Sequence, residues 1–338
     1  MNIKIGRSNF ALTVFVPYDC ANNCAFCTSK QNYKISPPNV DKVIKRMEII
    51  FRDYTFPIQD VVITGGEPMA DIDILKRILD TIPDEYNVYI NTTFINKNFI
   101  EFCEIVNKTN KIKGINISRH FDTFEKDNKF FKDIAKDENV RYISKKVRIN
   151  CVVSKSSNID GIIDRWSKQP VELSFRRNFN TPISDRDLHN MYDNFLLLLS
   201  ETNNTYFVSH GQCDVCDTTR FLKDETFLIQ YHKTKKHSSF KKDGALTIND
   251  LIIFQNGDIA YDWEDTLIKT TQEVLDAFLK KAPRGAWALR ETKDYWYVPT
   301  GPCGGDYYNK PKEPIQLAVE FASPSDIHEI CGGSGCGG

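Results

Sequence analysis

The chain has 338 residues, enough to bury a sizeable core as one large domain or two, and a net charge of −1. That balance gives no global pull towards nucleic acid or an anionic membrane, and the composition is that of a soluble globular protein. No stretch approaches the roughly 20 apolar residues of a membrane helix, and the run Ala11 to Val16 is too short for a signal peptide and stops at Pro17. Ten cysteines without an export signal point to reduced thiols and metal ligation, so the expected location is the cytoplasm.

In chain order, residues 1–180 alternate two patterns. Short β-rich runs at Ala11–Val16, Val61–Thr64, Val88–Asn91, Gly114–Ser118, Val147–Val153 and Val171–Phe175 read as strands. Helical periodicity marks Asp41–Phe51, with Asn39 or Asp41 as its cap, then Asp71–Ile82 and Asn98–Val106. Further helices are expected near Phe130–Ala135, Ile159–Trp166 and Asp185–Leu199. Six such units imply a parallel sheet with right-handed crossovers. They are too few for a closed eight-strand barrel, so the expected fold is α/β, a partial (β/α)6 TIM-like barrel with a C-terminal mixed extension. Ligands of such sheets bind at the C-terminal strand ends.

Two motifs fall at those ends. Cys20, Cys24 and Cys27 follow the first strand with Cys-x3-Cys-x2-Cys spacing. Three thiolates hold three corners of a four-iron cluster and leave the fourth iron open, whereas an electron-transfer cluster closes all four positions with Cys. A zinc knuckle with a distant fourth ligand is the alternative reading of the same spacing. Gly65, Gly66, Glu67 and Pro68 close the second strand. The triplet, with Phe26 immediately before its third cysteine, resembles the signature of the radical S-adenosylmethionine (SAM) family, and Gly-Gly-Glu-Pro matches that family's second motif. The resemblance implies the partial barrel already read from the alternation. It also implies a 4Fe-4S cluster on Cys20, Cys24 and Cys27, SAM on its open iron, and a reductant such as flavodoxin or ferredoxin. Phe26 is then expected against the adenine, Gly65 and Gly66 near the methionine end, and Glu67 as the anchor of its own loop.

Strand parity adds further candidates. Ile115, Ile117, Val147, Ile149, Cys151, Val153, Leu173 and Phe175 should face the helices. Asn91, Ser118, Asn150 and Arg176 should then face inward at the strand ends, where a ribose and an α-carboxylate need donors and acceptors. The bland alternative is that these residues bond to one another. Cys103 and Cys151 read as small buried hydrophobes.

Beyond Leu199 the rhythm stops, so the chain divides into a core, 1–199, and an extension, 200–338. The extension holds extended runs at Thr226–His232 and Leu246–Phe254, the turn Gln255–Asp258, a run Ile259–Trp263 and a helix at Gln272–Lys281. It reads as an antiparallel hairpin unit covering the open side of the partial barrel. Its cysteines, Cys213, Cys216, Cys303, Cys331 and Cys336, suit an auxiliary iron–sulfur cluster. A zinc site on Cys213, Cys216, His232 and His237, or unligated thiols, are the rivals. The substrate is expected to be a peptide or protein side chain, as for peptide maturases, with a small metabolite or nucleotide as the alternative. Arg148, Arg176 and Arg177 would suit an anionic group. A non-enzymatic iron–sulfur or zinc module is the remote reading.

Overall fold

A computed structural model of the chain describes residues 2–5, 10–22, 24, 26, 27, 29, 33, 36–53, 58–154, 157–177, 205–212, 217–232, 239–242, 245–248, 250–260, 290–291, 295–301 and 304–309. The main element is an eleven-stranded sheet. Its strands are β1 (Phe10–Phe15), β2 (Ile58–Thr64), β3 (Asn87–Thr92), β4 (Ile112–Ser118), β5 (Lys146–Val153), β6 (Glu172–Arg177), β7 (Thr205–Gln212), β8 (Asp217–Lys223), β9 (Phe227–His232), β10 (Asp250–Ile253) and β11 (Ile259–Ala260). Their spatial order is β11-β10-β1-β2-β3-β4-β5-β6-β9-β8-β7. All neighbours from β10 through β6 to β9 run parallel, and only the hairpin strands at the two edges are antiparallel. The six strands expected from the sequence are therefore β1 to β6, in that order.

The crossover helices are α1 (Val40–Asp53), α2 (Ile72–Thr81), α3 (Phe99–Lys108), α4 (Phe124–Phe130) and α5 (Ile159–Trp166). Asn39 caps α1, its Oδ1 accepting from the Lys42 amide at 2.9 Å. Asp71 caps α2 in the same way through the Ile74 amide. One helix differs from expectation. The chain is helical before Phe130, not after it, because Thr123 supplies an N-cap and Phe131 already has extended backbone. Ile134 instead forms an antiparallel bridge with Ile95. The helices expected at 185–199 and 272–281 lie outside the described residues.

The second half enters the sheet, where the sequence suggested a separate hairpin unit. β9 adds in parallel beside β6, and β10 adds in parallel beside β1. The run Leu246–Phe254 is not one strand. Ala245–Ile248 pairs with Asn2–Ile5 and Ser239–Lys242 in a small second sheet, while β10 joins the main one. The turn between β10 and β11 forms as read. Gly257 sits at φ +80° with its amide bonded to Phe254 O at 2.9 Å, and Asp258 N bonds Asn256 Oδ1. A third sheet joins Arg290–Glu291, Tyr295–Gly301 and Gly304–Asn309.

The core lies between the sheet's outer face and the helices. Val43, Met47 and Ile50 of α1, Leu75, Ile78 and Leu79 of α2, Phe102 and Val106 of α3 and Ile162, Ile163 and Trp166 of α5 are all buried there. They meet Ile115, Ile117, Val147, Ile149, Cys151, Leu173 and Phe175, as parity required. Each such side chain contributes about 1.5–3 kcal/mol by leaving water. On the sheet's inner face a smaller apolar cluster holds Phe15, Tyr33, Ile252, Phe254 and Ala260. Among the described residues no helix is long and apolar enough to cross a membrane.

Candidate functional site

The chain leaving β1 is pinned beside the end of β2, where the Val16 amide donates to Thr64 O at 2.8 Å. Cys20, Cys24 and Cys27 follow, each half-buried and none in a disulfide. The loop closes locally through Cys27 N to Cys24 O at 3.1 Å and Cys20 N to Asp19 Oδ1 at 2.7 Å. Burial pushes the Cys20 thiol up to about 11, so it stays protonated near neutral pH unless a cation draws off the proton.

Gly65 and Gly66 have a packing reason to be glycine. Gly65 lies at φ +101°, and a Cβ on Gly66 would stand 2.0 Å from the Tyr18 carbonyl oxygen. Tyr33 locks this contact, its hydroxyl donating to Val16 O at 2.6 Å and accepting from Gly66 N at 2.7 Å. Glu67 is 2% exposed and fully engaged. Its carboxylate accepts from Met69 N, from the Thr92 hydroxyl, from Thr93 N at 2.7 Å and from the Thr93 hydroxyl at 2.5 Å. It therefore staples its own loop to the end of β3. Thr93 also accepts from Asn22 Nδ2 at 3.2 Å, which ties the cysteine loop into the same knot.

All the inward candidates line one cavity of ≈ 200 Å³ at the C-terminal ends of β1 to β6. Its walls carry Cys20, Cys24, Cys27 and Phe26, then Gly65, Gly66 and Glu67, and then Asn91, Ser118, Asn150 and Arg176. These last four are not equivalent. Asn91 bonds its neighbours, donating to Thr64 Oγ1 at 3.3 Å and accepting from Asn116 Nδ2 at 2.8 Å, so the bland reading describes its amide. Asn150 Oδ1 is buried with no protein partner among the described residues. Arg148, one of the three arginines read as anion partners, turns to Glu172 instead, at 2.9 Å, lower on the inner face.

Several cavity residues escaped the sequence reading, among them Tyr33, Thr93, Phe131 and His120. His120 sits two residues past Ser118, so parity continued beyond the strand end would have found it. Its ring meets Phe26 edge-on at 4.3 Å and Phe131 at 5.5 Å. Its Nδ1 accepts from Val152 N at 2.9 Å, which leaves the proton on Nε2. Burial, reinforced by Arg119, lowers its pKa to about 3, so the ring is neutral.

These walls suit the cofactors that the motifs imply. Cys20, Cys24 and Cys27 all line the cavity wall, and three thiols there supply the soft donor set that a cluster with one open iron needs. The orphan Asn150 Oδ1 offers an acceptor to a sugar hydroxyl. Of the rival zinc set in the second half, only His232 is described; its Nδ1 lies 3.1 Å from the Thr218 hydroxyl, on the inner face of β9. Cys213, Cys216, Cys303, Cys331, Cys336 and His237 lie outside the described residues.

No family model matches the chain. It is similar to the GTP 3′,8-cyclases of Listeria welshimeri and Listeria monocytogenes, at 27% identity over 176 residues, 48% of this chain and 50% of those proteins. The chain thus spans about half the length of the curated relatives it matches. Among solved structures it resembles Streptococcus suis SuiB bound to S-adenosylmethionine, with TM-score 0.52 and 16% identity over 85% of this chain and 67% of that one. It also resembles SuiB bound to the precursor peptide SuiA, with TM-score 0.53 at the same identity, over 85% of this chain and 68% of that one.

Proposed function

We propose that the chain is a radical SAM enzyme that abstracts hydrogen from a peptide or protein side chain. One observation carries the chemistry: the cysteine triplet, the Gly-Gly-Glu-Pro loop and the inward strand-end residues share a single cavity. Cys20, Cys24 and Cys27 would hold a 4Fe-4S cluster whose remaining iron takes SAM. When bound, that pair supplies hydrogen-atom abstraction through a 5′-deoxyadenosyl radical, produced by one-electron reduction of the sulfonium. The electron would come from a flavodoxin or ferredoxin.

The protein's own contribution is binding, orientation and exclusion of water. Phe26 gives the adenine an apolar face, and His120 and Phe131 behind it keep that wall dry. Asn150 Oδ1 would accept from a ribose hydroxyl. Ser118 and Arg176 offer a hydroxyl and a guanidinium for the α-carboxylate. Gly65 and Gly66 bring main chain to the wall, and Glu67 fixes that main chain without spending its carboxylate on the ligand.

The likeness to SuiB carrying a precursor peptide supports the peptide reading. The 27% identity to GTP 3′,8-cyclases supports the second reading, a nucleotide substrate. Residues 1–199 would be the core and 200–338 the extension, with some of Cys213, Cys216, Cys303, Cys331 and Cys336 on an auxiliary cluster. Reconstitution of oxygen-free protein with iron and sulfide, followed by dithionite and SAM, tests the reading. Wild type should release 5′-deoxyadenosine and Cys24→Ala none; release by Cys24→Ala refutes the cluster ligands.

A further inference from the structure

Past the cavity, the inner face continues sideways onto strands contributed by the second half of the chain. Two rows cross it. In the first, Ser118, Asn150, Ser174, Gln230 and Arg220 lie side by side on β4, β5, β6, β9 and β8. In the second, Val152, Arg176, His232 and Thr218 do so on β5, β6, β9 and β8. The rows begin in the cavity, which Ser118, Asn150, Val152 and Arg176 line.

Away from the cavity the rows carry polar atoms that the protein leaves without partners among the described residues. Ser174 is fully buried and its hydroxyl is unbonded. Gln230 is 1% exposed and its Nε2 is unbonded. His232 is 8% exposed; its Nδ1 meets the Thr218 hydroxyl and its Nε2 has no partner. An orphaned buried donor is costly, and native proteins keep few of them. Three on two adjacent strands, with Ser174 and Gln230 in register and His232 two residues further along, are a built feature.

Among the described residues the charge left over beside these rows is positive. His232 is held neutral by burial and by Arg176, Arg148 and Arg220 around it. Glu172 is already shared by Arg148 and Lys146 at 2.9 and 2.7 Å. The other buried acids of the inner face, Asp60 and Asp250, sit near the N-terminal ends of β2 and β10, away from these rows.

We propose that Gln230, His232 and Arg220, with Arg176 at the border, form a subsite for an anionic oxygen group of the substrate, a carboxylate or a phosphate. The amide, the imidazole and the guanidiniums donate, and Ser174 accepts or donates as the group requires. The subsite lies beside the cofactor cavity, so an anchored substrate would present a neighbouring carbon to it. This rests on the enzyme reading above and gives the second half of the chain a task there: to hold the substrate by its charge. The two substrate readings share this chemistry, through an acidic side chain or through a nucleotide's phosphates.

The test uses the full-length chain with glutarate as the carboxylate probe and pyrophosphate as the phosphate probe, both at ionic strength matched with chloride. One of the two should raise the apparent Tm of wild type by a few degrees and bind in calorimetry. The responding probe names the source of the charge. Gln230→Glu, nearly isosteric but charged, should weaken that binding at least tenfold. Gln230→Met removes the orphan amide, so it should fold at least as well as wild type while losing the same response. Cys24→Ala should keep the full response, which separates this proposal from the cluster reading. No response to either anion, as when internal water alone satisfies the donors, overturns it. So does a response that survives unchanged in both Gln230 variants.

Discussion

The two faces of one sheet follow opposite rules. The outer face is closed and apolar, and among the described residues its buried ionisable side chains on β3 to β6 and α3 are the thiols Cys103 and Cys151. The inner face of the same strands carries Asn116, Arg148, Asn150 and Ser174, every one buried. Among the described residues the outer side leaves Trp166 Nε1 without a partner, whereas the inner side leaves polar atoms unpartnered at Thr13, Asn150, Ser174, Gln230 and His232. One face therefore secures the fold, and the other gives up stability at the polar atoms it leaves unpartnered.

That division makes acid a probe of the inner side. His120 is buried neutral with its pKa lowered to about 3, and His232 is lowered in the same direction. The unfolded chain takes a proton on each ring below an ordinary pKa of about 6.5, while the native rings do not until far lower pH. Stability should therefore be highest above pH 6.5 and fall by a few kcal/mol as pH drops from there towards 3. Glu172, held below its ordinary range by Arg148 and Lys146 against the cost of burial, loses its stabilisation in the lower part of the same window. Urea titrations at pH 7 and pH 5 measure the slope. His120→Asn, whose Oδ1 can still accept from Val152 N, should flatten it; an identical slope would place the acid sensitivity elsewhere.

The outer face offers the contrasting loss. Ile149 is fully buried between β5 and the helices. Ile149→Ala removes three carbons from a close-packed layer and should cost about 2–4 kcal/mol by denaturation. Because Ile149 points away from the cavity, 5′-deoxyadenosine release per folded molecule should stay within about twofold of wild type. A large drop in release with little loss of stability would mean that the faces are not separate.

How far this division was readable differs by region. Period-two alternation decided both faces of β3 to β6, since Ile115 and Ile117 against Asn116 and Ser118 leave one register that buries the apolar set. The helical spacing of Asp71–Ile82 and Ile159–Trp166 and the Asn39 cap were in the open, whereas the Asp71 and Asn158 caps emerge only from the fold. What stayed hidden depends on pairing across long separations. Nothing local in Phe227–His232 or Asp250–Ile253 says that they extend a parallel sheet begun more than fifty residues away. Glu67 was legible as a loop anchor, but its partners Thr92 and Thr93 were not, because a hydroxyl after a strand looks like any turn residue. Gly66 was legible only as a glycine placed near the ligand's methionine end. That the Tyr18 carbonyl lies against it follows only from the fold.

The smallest effect tests the comparison most directly, because it should have the opposite sign. Thr13 lies on the inner face of β1, fully buried, with no partner for its hydroxyl among the described residues. Valine has nearly the same shape and the same χ1 stiffness, and it favours strands at least as well. Thr13→Val therefore deletes an unpaid polar group without opening a cavity, and should raise stability by about 1 kcal/mol, where an outer-face change of similar size lowers it. If the hydroxyl instead holds a structural water in the native protein, the substitution will lower stability by a comparable amount. Denaturation of Thr13→Val beside Ile149→Ala reads both signs in one experiment. Should both variants lose stability, the Thr13 hydroxyl is satisfied in the native protein and the inner face does not leave it open.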